Sequence, residues 1–398
     1  MENLLQYSAS RINSVDLSFK RFLRGRINWN NRLIAITGAR GVGKTTLLLQ
    51  FIREKISDIS GEVIFVNADD LYFAKNTIVD FAGEFVKRGG KYLFLDEVHK
   101  YKNWSQEIKS CYDYFTELKL IITGSSALEI YKGKADLSRR AVHYGMPGMS
   151  LREFIELKYQ IRFPVFTLED ILTRAQEIIP EILEKIKPVR LFEEYLEYGY
   201  YPFFIEGEDE FHDKLRQTVN QVVETDLPAS APIDFSAVNN IKKLLSILAE
   251  IVPYKPNIVK LSQQVGVSRE TLIRYLYLLG KADLLALLQS DKHGMSKMNK
   301  PDKIYLNNPN LIRALSYKSA NPGTMRETFF LNQLQAGHLV TSSGAGDFLV
   351  DNKYIFEIGG KNKGRKQVAG VKNAFVASDN IEYAHHDKIP LWLFGFLY

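Results

Sequence analysis

Short apolar runs alternate with amphipathic segments through the first 150 residues of the chain. Five of these runs have the length and composition of buried strands, and helical patterns separate them. The runs are Leu33–Thr37, Glu62–Asn67, Lys91–Asp96, Leu118–Thr123 and Ala141–Tyr144. Such alternation predicts a parallel sheet covered by helices on both faces. We expect this module to end near Leu151–Phe154.

The pattern becomes mainly helical beyond residue 160. The predicted helices are Phe166–Lys187, Leu191–Tyr198 and Phe211–Asp226, followed by a predicted linker at Pro228–Pro232. Several short helices and a strand-like part are predicted over residues 238–290, and an α/β pattern returns from about residue 322. In that last part we expect a helix at Met325–Leu334, paired strands at Asp347–Val350 and Tyr354–Ile358, and a buried final strand at Leu391–Leu397.

The first apolar run leads into Gly38–Thr45, which matches the phosphate-binding pattern G-x-x-x-x-G-K-[ST] at every fixed position. Glycines let backbone N–H groups surround phosphate oxygens, and the start of the next helix adds donors. Lys44 is expected to contact the β- and γ-phosphates, and Thr45 to bind Mg²⁺. The predicted nucleotide-binding residues are Gly38, Ala39, Arg40, Gly41, Val42, Gly43, Lys44, Thr45 and Thr46.

Other candidate residues follow later strands of the same predicted sheet. Asp96 is expected to bind Mg²⁺ and Glu97 to act as a general base on the attacking water. Thr123 and Ser125 are candidates for contact with the γ-phosphate or the water, the alternative being that they cap the next helix. Arg139 and Arg140 could stabilise charge on the transferred phosphoryl group, within one subunit or across to a neighbour. The alternative for this pair is a solvated basic turn.

Composition narrows the choice of partners and location. The formal net charge is +6, and residues 240–300 alone carry ten Lys or Arg against four Asp or Glu. A local basic excess favours a polyanionic partner. The single cysteine, Cys111, excludes an intrachain disulfide and suits a reducing cytoplasm. We expect no signal peptide and no membrane span, since no apolar run is long enough.

A helix–turn–helix is predicted at Val259–Leu276, where Gly266 supplies the turn and Ser268 the N-cap of the second helix. Leu284–Leu288 and Ile304–Leu306 would add a wing. Arg269 and Arg274 would face outward on the candidate recognition helix, and their charge suits DNA phosphates. Lysines of the wing would add to this charge: Lys292, Lys297 and Lys300. The alternative is a winged helix used only for packing.

Several of these motifs together resemble an uncharacterised prokaryotic family of AAA+-like ATPases with a C-terminal domain related to PD-(D/E)XK nucleases. The motifs are Gly38–Thr45, Leu95–Lys100, Thr123–Ser126, Leu151–Phe154, Tyr198–Pro202 and Lys303–Leu306. The choice of ATP over GTP as the nucleotide comes from this resemblance alone, because no base-reading motif is visible in the chain.

The same resemblance implies a second metal site. Glu327, Asp347 and Glu357 fall where such nucleases place a helix Glu, a strand Asp and the Glu of a Glu-x-Lys unit. Gly359 stands where the lysine should be, and Lys361 follows two residues later. Either Lys361 reaches the site or the fold survives without cleavage. A further basic patch, which a nucleic-acid-binding remnant would also show, comprises Lys363, Arg365 and Lys366.

The expected fold is α/β: a P-loop NTPase parallel sheet with a helical lid, a winged-helix domain and a C-terminal α/β nuclease-like domain. The expected boundaries are 1–160, 161–235, 236–308 and 309–398. The expected function is a cytoplasmic Mg²⁺-dependent ATPase that couples its nucleotide state to action on DNA. The alternatives are a nucleotide-gated DNA- or protein-binding switch with little turnover, and an ATP-regulated metal-dependent nuclease. The oligomeric state stays open.

Overall fold

The computed structural model describes residues 1–56, 61–124, 137, 139–231, 233–289, 300–316, 320–364 and 366–398. Contacts divide the chain into two compact units. The first unit comprises Met1–Gly148 and Glu224–Ile233, and the second comprises Met149–Val223 and Asp234–Tyr398. The four-domain division expected from the sequence stays a prediction.

A parallel five-stranded sheet forms the centre of the first unit, in the order β2-β3-β4-β1-β5. Its strands are β1 (Leu33–Thr37), β2 (Val63–Asn67), β3 (Tyr92–Asp96), β4 (Lys119–Gly124) and β5 (Val142–Gly145). Every predicted strand of this sheet is therefore confirmed to within about a residue at each end. The helices of this unit are α1 (Glu2–Ser14), α2 (Leu23–Arg26), α3 (Lys44–Lys55), α4 (Ile78–Lys87), α5 (Trp104–Tyr114) and, in chain order, α10 (Leu227–Ser230).

β1, β2, β3 and β4 are apolar and almost completely buried, as expected for a parallel sheet that is covered on both faces, whereas the edge strand β5 is partly exposed. Alternate residues such as Ile64, Leu93 and Leu120 share one buried cluster with Phe81 of α4 and Ile108 of α5. Burial of each such side chain contributes about 1.5–3 kcal/mol. The packed sheet thereby fixes the positions at which the loops begin at the carboxyl ends of its strands.

Helices make up most of the second unit. They are α6 (Leu151–Tyr159), α7 (Leu168–Leu183), α8 (Pro188–Tyr198), α9 (Phe211–Gln221), α11 (Phe235–Ile251), α12 (Ile258–Val265), α13 (Arg269–Lys281), α14 (Pro309–Leu315) and α15 (Pro322–Gln335). An antiparallel pair is formed by β6 (Leu285–Leu288) and β7 (Lys303–Leu306). A mixed sheet has the order β12-β11-β10-β9-β8 and comprises β8 (Val340–Ser342), β9 (Phe348–Val350), β10 (Tyr354–Gly359), β11 (Ala374–Ser378) and β12 (Lys388–Pro390).

Two elements predicted for the later part of the chain are wrong, namely the final strand and the linker. Leu391–Phe396 is a 3₁₀ helix and not a strand, although its residues are buried as expected. An unbroken apolar run carries no period, so sequence could not separate the two structures. Phe211–Asp226 is helical as predicted, although α9 ends at Gln221 and Val222–Asp226 is π-helical. The linker predicted at Pro228–Pro232 is not observed, because α10 directly follows the π-helical turn. Pro232 itself lies outside the described residues.

In the part of the chain that the structure describes, no helix combines the length and apolar character needed to cross a membrane.

Candidate nucleotide site

A glycine-rich loop joins the end of β1 to the start of α3. Gly41 and Gly43 have φ values of +86° and +96°, a region that residues with a Cβ rarely adopt. At Gly38 a Cβ would overlap the carbonyl oxygen of Met146. The three glycines therefore serve the tight path of the loop, and Gly43 is the N-cap of α3.

Lys44 is the first residue of α3, and its side chain folds back over the loop. Its Nζ donates hydrogen bonds of 2.8 Å to the carbonyl oxygens of both Gly38 and Ala39. The side chain is buried. A buried ammonium thus lies inside a loop rich in backbone donors, next to a helix N-terminus, which together suit an anion.

Asp96 connects β3 with β4 and with the start of α3. It ends β3, and its Oδ2 accepts a 2.7 Å hydrogen bond from Oγ1 of Thr45, the second residue of α3. Its Oδ1 accepts a hydrogen bond from Oγ1 of Thr123 in β4, the strand between β3 and β1. Burial raises the pKa of Asp96 above its usual value, although the hydrogen bonds from the Thr123 and Thr45 hydroxyls offset part of this increase. A carboxylate and a hydroxyl at 2.7 Å are the hard oxygen donors that Mg²⁺ prefers, so these residues fit that ion.

Glu97 lies next to Asp96 in an unusual backbone conformation. Its φ of 52° and ψ of 40° are left-handed, which costs a non-glycine residue about 1–3 kcal/mol. Its N–H donates to Oγ1 of Thr123 at 3.1 Å. Oε2 lies 2.6 Å from Nζ of Lys100, and Oε1 lies 3.9 Å from Nη1 of Arg40. Burial raises the pKa of Glu97 and the Lys100 contacts lower it, so that it falls below its usual value.

Thr123, a candidate for contact with the γ-phosphate or the water, has partners within the protein in this structure. Its hydroxyl is engaged with Asp96 and with the backbone of Glu97, and the residue is fully buried. In this structure it holds the two carboxylate-bearing residues in position. Ser125, the other candidate at this strand end, lies outside the described residues.

The structure does not bring Arg139 and Arg140 to the P-loop of the same chain. Both precede β5, at the amino end of a strand parallel to β1, whereas the P-loop follows the carboxyl end of β1. Arg140 instead forms two contacts with the Asp113 carboxylate, Nε to Oδ1 at 2.9 Å and Nη2 to Oδ2 at 3.0 Å. A role within one subunit is therefore not supported, while a role across subunits stays a prediction.

Two buried residues at the site were missed by the sequence analysis. Arg21 donates to the carbonyl oxygen of Val42 in the P-loop, and its Nη2 donates to those of Pro147 at 2.7 Å and Gly148 at 2.8 Å. Asp226 lies with its Oδ1 3.4 Å from Nη1 of Arg40. Asp226 interrupts an apolar stripe of helical spacing, which was the available signal; that stripe is Val219, Val222, Val223 and Leu227.

In the second unit, the carboxylates predicted to form a second metal site lie near lysines. Lys303 Nζ is 3.8 Å from Glu327 Oε2 and 3.7 Å from Asp347 Oδ1. Glu357 is buried and pairs with Lys363. Burial raises the pKa of Glu327, and Asp347 adds to this effect.

Within the described ranges, no group of three or more acidic, His or Cys side chains suits a metal ion. Lys361 is exposed, Arg365 lies outside the described residues, and nothing is described of the Lys366 side chain. The second metal site stays a prediction.

The helix–turn–helix segment has the local structure expected from its sequence. Gly266 ends α12 with a φ of +89°, and Oγ of Ser268 accepts a 3.1 Å hydrogen bond from the Thr271 N–H at the start of α13. Arg269 and Arg274 are exposed on α13, as is Lys300 before β7. Lys292 and Lys297 lie outside the described residues. Membership of the winged-helix class and DNA contact stay predictions.

Comparison with known proteins agrees with this geometry. A family model described as an AAA domain matches residues 30–155, and a domain of unknown function, DUF8612, matches residues 189–321. The first unit thus contains a P-loop ATPase domain of the AAA type. Over most of its length the chain is similar to the uncharacterized protein MJ1637 of Methanocaldococcus jannaschii: they are 26% identical, over 89% of this chain and 81% of that protein.

Two solved structures give distant matches. The Walker-type ATPase PABY2304 of Pyrococcus abyssi has a TM-score of 0.38 and 13% identity, covering 75% of this chain and 95% of that one. The AMPPCP-bound DnaA of Aquifex aeolicus has a TM-score of 0.27 and 17% identity, covering 70% and 86%. Scores this low establish no shared overall architecture, so the assignment rests on the family match and on the site.

Proposed function

We propose that this protein binds ATP with Mg²⁺ and hydrolyses it. The observation that carries the proposal is the convergence of four functional groups at one sheet edge: the Lys44 ammonium, the Thr45 hydroxyl and the carboxylates of Asp96 and Glu97. Asp96 ends β3 and Glu97 follows it, while Lys44 and Thr45 begin the helix that follows the loop after β1. Ligands bind at this edge in open α/β folds.

Each residue has a distinct role in this proposal. Lys44 exchanges its two carbonyl partners for phosphate oxygens, which better match its charge. Thr45 and Asp96 would hold Mg²⁺, and the bound ion would neutralise charge on the phosphates. Glu97 is ionised at neutral pH because its pKa is low, so it can accept a hydrogen bond or a proton from the attacking water. For that, its carboxylate must exchange contact with Lys100 for contact with water.

The test replaces Glu97 by Gln. ATP binding should persist, since the side chain keeps its size, while the steady-state rate should fall by about 10²–10⁴-fold with the loss of the base. Glu117→Gln is the matched control, because Glu117 is an exposed carboxylate at the amino-end side of β4. Unchanged turnover in the Glu97 variant would refute its role.

DNA is the partner that we propose for the second unit. The support is the basic excess of residues 240–300 and the exposure of Arg269 and Arg274 on α13. If they contact phosphates, replacing both by Gln should weaken DNA binding and reduce its salt dependence, by about one unit of slope for each lost contact. Equal binding by the variant would favour a packing role. ATP turnover with and without DNA separates a coupled ATPase from a switch with negligible turnover.

An ATP-regulated, metal-dependent nuclease is the second candidate function. The observation in its favour is that Asp347 and Glu327 both lie within 4 Å of the same Lys303 ammonium, so two of the predicted carboxylates are neighbours. Wild type and Asp347→Ala should be incubated with DNA and Mg²⁺ or Mn²⁺. Cleavage lost in the variant supports this candidate, and equal cleavage by both rejects it.

A further inference from the structure

Arg40, a variable position of the P-loop, lies between two carboxylates of the first unit. Its Nη1 is 3.4 Å and 3.5 Å from the two carboxylate oxygens of Asp226, and 3.9 Å from Oε1 of Glu97. The Asp226 side chain is only 1% exposed. A buried carboxylate is costly unless a cation offsets its charge. Arg40 therefore stabilises Asp226 and at the same time lies next to the proposed catalytic base.

Asp226 belongs to a short segment of the first unit that is flanked on both sides by stretches of the second unit. The chain of the second unit reaches Val223, contributes Glu224–Ile233 to the first unit, and returns to the second unit at Asp234. Asp226 ends the π-helical turn Val222–Asp226 and directly precedes α10. Single π-helical turns are rare and are frequently found at functional sites. Here the last residue of the turn is the partner of a P-loop residue.

The charges of this cluster change when a nucleotide arrives. Arg40 adjoins the backbone amides that would surround the phosphates, and a guanidinium can divide its donors among several anions. A bound phosphate therefore competes with Asp226 for Arg40. Nucleotide binding and the Arg40–Asp226 ion pair therefore oppose one another.

We propose that Asp226 is a positioning residue through which Glu224–Ile233 responds to the nucleotide. The Arg40–Asp226 ion pair holds the segment on the P-loop when no nucleotide is bound, and phosphate binding draws Arg40 away and loosens the segment. This inference rests on the proposed ATP site and adds a regulatory contact to it. Because the segment continues into both neighbouring stretches of the second unit, the site acquires a route for nucleotide-dependent signals.

A double-mutant cycle tests the inference in the full chain. The affinity for a non-hydrolysable ATP analogue with Mg²⁺ is measured for wild type, Asp226→Asn, Arg40→Gln and the double variant. Asp226→Asn should tighten binding about fivefold or more, a typical size for coupling between sites. In the Arg40→Gln background the same change should have little effect. Asp226→Glu keeps the negative charge, so its affinity for the analogue should be close to that of wild type. Glu117→Gln should also bind the analogue as wild type does. An equal effect of Asp226→Asn in both backgrounds would overturn the inference, because a general charge effect does not need Arg40.

Amide hydrogen exchange in wild type gives a second readout that needs no variant. Addition of the analogue should speed exchange of Glu224–Ile233, and unchanged or slower exchange there would overturn the inference. In the Asp226→Asn variant, the amide hydrogens of this segment should exchange rapidly even without nucleotide. The outcomes for the two proposals differ. Binding and hydrolysis without coupling refute only the ion-pair role, whereas absence of analogue binding by wild type refutes the ATP site as well.

Discussion

Replacing Thr123 by Val is the sharpest probe of how the site is held together. The change keeps the shape of this fully buried side chain and removes its hydroxyl, which donates to Asp96 and accepts from the N–H of Glu97 at 3.1 Å. Leaving buried polar partners unsatisfied costs about 1–3 kcal/mol each. Oδ1 of Asp96 and the N–H of Glu97 both lose this partner, whereas Oδ2 of Asp96 keeps its bond from Thr45. We therefore expect the free energy of unfolding to fall by about 2 kcal/mol.

Activity should respond as well, because Glu97 has a left-handed backbone that its Thr123 bond supports. A carboxylate displaced by a fraction of an ångström no longer orients water, and we expect turnover to fall about tenfold or more, while ATP affinity changes less. Urea unfolding and steady-state ATPase assays measure the two effects. Thr123→Ser is the control, since it keeps the hydroxyl and loses a methyl group worth about 1 kcal/mol. If Val is no worse than Ser in both assays, the positioning role is refuted.

Two further predictions concern residues around the P-loop. Arg21→Met removes hydrogen bonds to the carbonyl oxygens of Val42, Pro147 and Gly148, and should lower the free energy of unfolding by about 3 kcal/mol and weaken ATP binding; a thermal melt no different from that of Arg11→Met, an exposed control, would contradict this. Burial lowers the pKa of His99 to about 4, below its value of about 6.5 in the unfolded chain, so the folded state binds fewer protons between those values and loses stability as pH falls through them. The stability of wild type relative to His99→Gln should fall by about 3 kcal/mol from pH 7 to pH 4, as measured by urea unfolding at each pH, and a constant difference would show that His99 is not held neutral.

Local sequence signals were sufficient to predict the sheet and to select the candidate residues that the structure brings together at its edge. Buried parallel strands are short unbroken apolar runs, and each loop that carries a functional group begins where such a run ends. Lys44, Thr45, Asp96 and Glu97 could therefore be assigned from position alone, and the structure brings them to one edge. Thr123 was a candidate for contact with the γ-phosphate or the water, with capping of the next helix as the alternative, because the sequence does not show which partner a polar side chain will take.

The remaining features depend on contacts between distant parts of the chain. Arg40 and Asp226 are separated by 186 positions, and Arg21 and Gly148 by 127, so no local period relates them. Leu391–Phe396 could not be assigned as a 3₁₀ helix because an apolar run has no polar positions to mark its period. In each case the tertiary environment decides the outcome, and only the structure contains it.

Calorimetric titration with Mg²⁺ and ATP tests the central claim most directly. Wild type should bind with a saturable heat, and Lys44→Ala should bind at least tenfold more weakly, because the buried ammonium lies inside the phosphate loop. Lys91→Ala, which removes an exposed lysine paired with Glu62, should bind as wild type does. No heat at millimolar ATP, or equal affinity of wild type and the Lys44 variant, would contradict the account.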